Sequence, residues 1–515
     1  MKKITIYILF LSVLCSSCES FLDTKPTDFS TPETFYSTED ELNQALAGVY
    51  NALAQDGTYG RNLAVELAHS SDEGFYKRNT ANINPAHYNH DAANTIVLAA
   101  WRTLYEGVNR ANLLLKYIDR PEMDEDKREV IKGEALFLRS YFYFLLVSLW
   151  GDVPLILEPA RDGNKVNTPK TPAEEIYEVI LRDMEEALAL VKKYSDIGFP
   201  GRVSKTAIQG ILARVCLKMA GAPLYDLSKL ESAKTWAGKV ITSGEHELNT
   251  DYSQIFINHS ADKYDTEYNE CIWEVEFWGN RLGNSYQISG RVGNQFSIRS
   301  TTAEMYGYAM IGATATLYRK YDDPDDIRRD WNIAPFRYAS NTSLEIVYHT
   351  EEQIYDRDTG KWRREYEEVV PRSVDFSPTN FPLLRYADVL LMYAEAENEL
   401  NGPTSDAYDK LNEVRRRAGA YEFSGLDQDG FLQVIQDERA RELCFEGLRK
   451  QDLIRWGVFQ RVMRGVGNDI AGDAPSNLRY AALGYERAIA DRQLFLPIPI
   501  AEMSLNKAIK QNEGW

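Results

Sequence analysis

The sequence predicts a mostly α-helical protein: helix pairs stacked on one another, with loop-rich and small β-hairpin insertions. Three observations predict it. Apolar residues recur at helical spacing in segments at 39–55, between 101 and 243, and again after 386. Strand-like patterning is confined to about 269–380. Hydrophobic residues make up 44% and charged residues 26% of 515, which is the balance of a chain with a large packed core and not of a disordered one.

Residues 1–17 read as a secretory signal. Lys2 and Lys3 precede an apolar run, Ile4–Leu14, that is too short to span a bilayer. Ser16 and Ser17 before Cys18 resemble the lipobox of bacterial lipoproteins, in which cleavage leaves the cysteine as a lipid-bearing first residue; Cys15 stands where that pattern usually has leucine. Plain secretion is the alternative. Several acyl chains on one residue anchor a protein without a transmembrane helix. Residues 18–38 then form a tether, in which Pro26 and Pro32 break any helix.

Residues 39–268 read as an N-terminal helical part. Leu42, Leu46, Val49 and Leu53 share one helix face within 39–55. Asp56 to Asn94 is polar and has no period, and it carries Tyr59, Phe75, Tyr76 and Tyr88. A loop of that length is usually functional. Trp101, Tyr105, Val108, Asn112 and Leu115 form a helical stripe, and Trp101 is expected in the core. Residues 129–150 are apolar almost all round, which predicts a buried helix ended by Gly151-Asp152-Val153-Pro154. Further helices are expected at 172–193, at 204–220 behind the N-cap Ser204, and at 229–243.

Residues 269–515 form the second part. Its insertion, 269–380, has strand-like stretches at Cys271–Phe277, Leu344–Tyr348, Gln353–Tyr355 and Trp362–Tyr366. Asp356-Arg357-Asp358-Thr359-Gly360 reads as the turn of the last pair, since the remaining ligands of a calcium loop are missing. Over 381–515 helices resume at 386–400, 404–418 and 429–457. The last carries Glu438, Arg439, Arg441, Glu442, Glu446, Arg449, Asp452 and Arg455 at spacings that predict ion pairs along one helix.

Several chemistries are disfavoured. With 58 basic and 77 acidic residues the net charge is −19, which repels a phosphate backbone, so no nucleic-acid partner is expected. Zincin, nucleophile-elbow and phosphate-loop motifs are absent. Glu438 and Glu442 could pass for an acid/base pair of a glycosidase, but their i, i+4 spacing among arginines argues against it, and no catalytic residue is expected. His87-x-x-His90-Asp91 offers an i, i+3 metal pair, yet Asn84-Pro85 makes a plain loop the better reading. Cys216, Cys271 and Cys444 suit neither a disulfide framework nor a metal motif and read as buried fillers. No metal or cofactor is therefore expected.

Seven blocks resemble the SusD/RagB family of outer-membrane lipoproteins. They are Cys18…Phe21-Leu22-Asp23-x-x-Pro26; Trp101-x-x-x-Tyr105…Asn109-x-x-Asn112; Gly133 to Arg139 with Gly151 to Leu155; and Gly201 to Lys205 with Leu212 to Val215, where Ser204 replaces the usual threonine. Phe381 to Asp388 with Glu395 to Glu399 follows, then Glu438-Arg439-x-x-Glu442-Leu443 with Glu446-Gly447-x-Arg449-x-x-Asp452-Leu453, and lastly Ile498-Pro499…Asn506…Gln511-Asn512. The resemblance implies a tetratricopeptide-like helix-pair scaffold. It further implies a non-enzymatic surface lipoprotein that binds oligosaccharides and delivers them to a SusC-like, TonB-dependent β-barrel in the outer membrane. Its RagB branch suggests peptides as the alternative ligand, and net negative charge would then favour basic ones. The charged residues of the blocks read as structural, fixing helix-to-helix register, because a buried charge is tolerated only when paired.

The glycan site must join exposed aromatics, which cover the C–H face of a sugar, to short polar groups at its hydroxyl rim, on loops held by the helical frame. The 31 tyrosines and 9 tryptophans supply candidates. Two segments fit: 69–91, with Asp72, Tyr76, Arg78 and Tyr88, and 276–296, with Trp278, Asn280, Arg281 and Tyr286. Trp331 is a further candidate. Tyr76 and Trp278 are expected to be exposed; Phe75 and Phe296 fit either the site or the core.

Overall fold

The computed structural model describes residues 34–68, 70–78, 84–159, 167–283, 287–340 and 342–515. The signal peptide, Cys18, most of the tether and Tyr286 lie outside them.

Helix α1 (Glu39–Ala54) starts in a capping box: the Thr38 hydroxyl accepts the Glu41 N–H, and the Glu41 carboxylate accepts the Thr38 N–H. Its apolar stripe faces α2 (Thr95–Tyr117), which packs on α3 (Glu125–Trp150). The stack continues through α4 (Ala173–Leu190), α5 (Lys205–Ala220) and α6 (Lys229–Ser243), each laid on its predecessor. Ser204 caps α5 as expected, accepting the Ala207 N–H. Most of α3 from Ile131 onward is buried, as its composition predicted, and so is Trp101. One more helix, α7 (Tyr252–Ala261), was not expected, because its ten residues carry only a weak stripe.

The second part completes the rack. Helix α8 (Tyr386–Asn401) lies on α6 and receives α9 (Ser405–Arg417) and α10 (Gln428–Leu443). The single helix expected at 429–457 is broken into α10 and a short second helix, and the helix after it, over 459–473, was not expected. Phe445 and Gly447 adopt left-handed backbone (φ 67° and 80°), and α11 (Arg449–Arg455) and α12 (Phe459–Asp473) follow as separate elements. No helix among the described residues is long and apolar enough to cross a membrane.

Six short strands form three antiparallel pairs among the described residues. They are β1 (Gly74–Tyr76), β2 (Cys271–Val275), β3 (Ile311–Ala313), β4 (Phe336–Ser340), β5 (Ser343–Tyr348) and β6 (Phe381–Arg385), paired β1–β3, β2–β6 and β4–β5. Only β4–β5 is a hairpin, and its partnership corrects the expectation: Gln353–Tyr355 and Trp362–Tyr366 form no strands. Tyr355 and Trp362 are instead buried anchors, and the Asp358–Thr359 segment bridges to Gly312 and Ile333.

The charged blocks are internal and mostly join different elements. Arg385 on β6 is held by Glu270, Glu442 and Glu446, and Arg328 by Asp326, Glu438 and Glu442. Arg439 spans Asp388 on α8 and Asp452 on α11, and Arg139 on α3 reaches Asp183 on α4 and Asn112 on α2. Only Arg441–Glu438 and Arg455–Asp452 pair locally in that block, so the ion pairs expected along one helix are largely contacts between helices and strands. Breaking such a buried pair strands a charge and costs about 3–5 kcal/mol, which locks the rack's register.

Candidate functional site

Three expected glycan contacts are not available. Asp72 is buried against Arg449, with Oδ1–Nε and Oδ2–Nη2 both at 2.8 Å. Tyr76 is 8% exposed with its ring edge-on to His87, which corrects its expected exposure. Tyr88 is 4% exposed; its hydroxyl donates to the Ser70 carbonyl and Lys450 lies over its ring. The segment folds inward because Asn84 caps the tight turn Pro85–His87, and the Tyr485 hydroxyl donates to the carbonyls of Ser71 and Gly74. Burial pushes His87 down to about 4 and His90 to about 3, so both rings are neutral at pH 7. Phe75 and Phe296 both belong to the core. Trp331 is half-buried, its N–H on the Lys361 carbonyl and Arg363 over its ring, so it too is a packing residue.

The second segment fares differently. Trp278 is 48% exposed. Its backbone is fixed: Phe277 is fully buried behind it, and the Trp278 N–H donates to the Ile288 carbonyl at 2.7 Å. The Gln287 amide oxygen accepts the N–H groups of both Asn280 and Arg281 (3.0 and 2.8 Å). Gly279 permits this. Its φ is +77°, and a Cβ there would fall 2.3 Å from the Gln287 side chain. Asn280 is buried and shapes the loop, donating to the Pro371 carbonyl and accepting the Leu282 N–H. The indole is thus presented on a braced loop.

Arg281 leads from that loop to a group of residues the sequence did not single out. Its guanidinium covers the half-buried Phe376 ring at 4.3 Å, and Arg291 covers the same ring at 4.5 Å. Next to Phe376, Asp375 accepts the Tyr308 hydroxyl, and Tyr306 packs edge-on against Tyr308 at 5.0 Å. The Tyr308 carbonyl in turn accepts Arg78 and Arg299. These two arginines open onto a cleft of about 660 Å³ whose lining also includes Lys77, Arg337, Tyr338, His349, Asp356 and Asp358. Lys77 is spent on Asp358. Arg78, Arg299 and Arg337 have no ion pair among the described residues. The shared carbonyl holds the two guanidinium groups close together, and burial, then the like charge of Arg299, lower the Arg78 pKa from its usual value. The sequence signal that was missed is Tyr306-Gly307-Tyr308, an aromatic-spiked stretch without a period.

Comparison with known proteins fits this architecture. Residues 269–515 match the model of the SusD family, and residues 20–217 match a model described as "Starch-binding associating with outer membrane". The chain belongs to the SusD family. Among its SusD-like relatives, SusD-like protein P25 of Formosa agariphila is 27% identical over all of this chain and 98% of its own. Starch-binding protein SusD of Bacteroides thetaiotaomicron is 25% identical over 75% of this chain and 72% of its own. A crystal structure of a SusD homolog from B. thetaiotaomicron superposes with a TM-score of 0.85 at 27% identity, covering 94% of this chain and 98% of that one.

In this SusD family member the charged blocks are scaffold and not site. Glu438 and Glu442 are fully buried. Burial would raise the Glu438 carboxyl, but Arg328, Arg441 and Arg415 outweigh it and hold it at about 2. Glu442 is likewise held below the carboxylate range by Arg417, Arg385 and Arg328. Neither can carry a proton at neutral pH, as a general acid must.

Proposed function

We propose that this chain is a non-catalytic, lipid-anchored lipoprotein of the outer-membrane surface, tethered through Cys18. It captures oligosaccharides and passes them to a SusC-like, TonB-dependent β-barrel transporter. The observation that carries the reading is the half-exposed Trp278 on its braced loop, continued by the half-buried Phe376, Tyr308 and Tyr306 to the cleft that Arg78, Arg299 and Arg337 line. The starch-binding names of a matching family model and of a relative support a carbohydrate ligand. Arg78, Arg299 and Arg337, which have no ion pair among the described residues, favour a sugar bearing carboxylate or sulfate groups over the basic peptide that net charge alone would suggest.

Three stacks of about 0.5–1.5 kcal/mol and a few hydrogen bonds near 1 kcal/mol give about 5–7 kcal/mol, or dissociation constants of about 0.1 mM to 10 μM. That range suits capture followed by release to a transporter. Titration calorimetry against neutral, uronic-acid and sulfated polysaccharides tests the reading. The expected result is binding to at least one glycan, weakened about tenfold by Trp278→Ala, with no reducing sugar released. Binding to no glycan, or to peptides alone, overturns it.

A further inference from the structure

Most carboxylates in this core meet a guanidinium: Asp72 has Arg449, Asp388 has Arg214 and Arg439, and Glu395 has Arg455. Glu274 does not. Its side chain is 1% exposed, and its one ion-pair partner among the described residues is His259, Nε2 to Oε2 at 3.2 Å. Its other oxygen accepts the neutral Asn380 amide at 3.0 Å. Glu274 is thus a buried carboxylate with no guanidinium or ammonium group in ion-pair contact among the described residues.

The third member is Cys271. Along a regular strand, positions 271 and 274 would point to opposite faces. The β2–β6 register shifts twice between them, at Cys271/Trp273 and at Trp273/Glu274, and this irregularity brings both side chains to one face. Ligand atoms of His259, Cys271 and Glu274 then lie within 4.8 Å of one another, all three residues being buried. Nε2 is the His259 nitrogen that faces Glu274, while Nδ1 on the other side of the ring has no hydrogen-bond partner. Beside the three, Tyr194, Asn258 and Asp265 help enclose a void of about 10 Å³, roughly one water-sized sphere.

We propose that His259, Cys271 and Glu274 form a structural site for one divalent transition-metal ion, zinc by ligand chemistry, pinning the end of α7 to β2. Sulfur, imidazole nitrogen and carboxylate oxygen suit zinc or its first-row neighbours; calcium and magnesium take all-oxygen shells. The 3.2 Å nitrogen–oxygen separation matches the edge of a zinc tetrahedron with bonds of about 2.0–2.2 Å. The void leaves room for one water as fourth ligand and none for a substrate, so the site holds structure. Binding displaces the Cys271 thiol proton to solvent. Asn380 carries the effect outward, since its amide donates to Glu274 and its oxygen accepts the Phe277 N–H at the root of the Trp278 loop.

The test uses full-length protein in detergent, stripped with a chelator and dialysed against zinc or cobalt(II). One metal per chain, a near-ultraviolet thiolate-to-cobalt charge-transfer band, and a higher melting temperature with zinc are expected. Cys271→Ser and Glu274→Gln should lose metal and band, while Cys216→Ser and Cys444→Ala keep them. Should the site variants fail to fold, the wild-type spectrum decides together with those two controls. Absence of the band or of stoichiometric metal, or a band that survives Cys271→Ser or disappears with Cys216→Ser, overturns the proposal. None of these readouts involves a glycan, so failure here leaves the glycan reading standing.

Discussion

Arg449 on α11 grips Asp72 across 377 positions of sequence through two hydrogen bonds of 2.8 Å each. Burial would raise the Asp72 carboxyl, but the guanidinium holds it below the usual range. A residue with the short polar character of a sugar contact is thereby a structural clasp between the 69–91 segment and the C-terminal helices. Asp72→Asn should cost about 3–5 kcal/mol of unfolding free energy, because it leaves Arg449 buried without its counter-charge. Urea denaturation measures that loss. Affinity of the folded fraction for glycan should not change; a variant of normal stability that no longer binds would restore Asp72 as a contact.

Trp278 and Tyr76 separate in the same way. Trp278→Ala removes a half-exposed indole and should change stability by no more than about 0.5 kcal/mol while weakening binding. Tyr76→Ala empties a core position and should cost about 3 kcal/mol without touching folded-state affinity. Thermal melts and calorimetry on both variants read the two effects independently.

Acid should unfold the protein through its buried carboxylates. Glu438 and Asp452 each sit at about 2, burial being outweighed by their arginines, against ordinary values of 4.5 and 3.8. Their folded pKa values are depressed. The stability they contribute is therefore fully present above about pH 4.5 and is lost as pH falls toward 2. The urea midpoint should drop steeply between pH 5 and pH 3. Glu73 runs the other way. Burial pushes it up to about 8, so its contribution is intact below pH 4.5 and disappears as pH rises through 8. Glu73→Gln should accordingly stabilise at pH 9 and be nearly neutral at pH 5, a crossing seen by repeating the melts at both pH values.

The helical rack was legible because 3.6-residue periodicity survives wherever one face is buried, as in α1, α2 and α4. Two things were not. The break between α10 and α11 depends on left-handed backbone at Phe445, a residue whose side chain gives no such signal. The depth of Ser71 and Asp72 depends on partners some four hundred positions away, Tyr485 and Arg449, and no local pattern reports those. Trp278 was legible because Gly279 and Asn280 mark a turn that displays a large ring. The bulge that turns Cys271 toward Glu274 arises from strand register, which composition does not encode.

Arg78 and Arg299 share one acceptor, the Tyr308 carbonyl, and neither has a carboxylate in ion-pair contact among the described residues. Two like charges held together in an otherwise acidic protein repel each other, and an incoming carboxylate or sulfate relieves that repulsion while accepting charge-assisted hydrogen bonds. The double substitution Arg78→Gln/Arg299→Gln keeps donors to the carbonyl but removes both charges. It should weaken binding of a uronic-acid or sulfated oligosaccharide by about 10–100-fold, the size of one or two charge-assisted bonds. It should leave a neutral oligosaccharide nearly unaffected, since the aromatic surface at Trp278 and Phe376 is unchanged. Added salt should weaken wild-type binding of the anionic ligand and have little effect on the variant, because screening acts on the charges that were removed. Calorimetry of both ligands at two ionic strengths decides it: equal losses for neutral and anionic sugars would place the cleft outside ligand recognition and confine binding to the Trp278 surface.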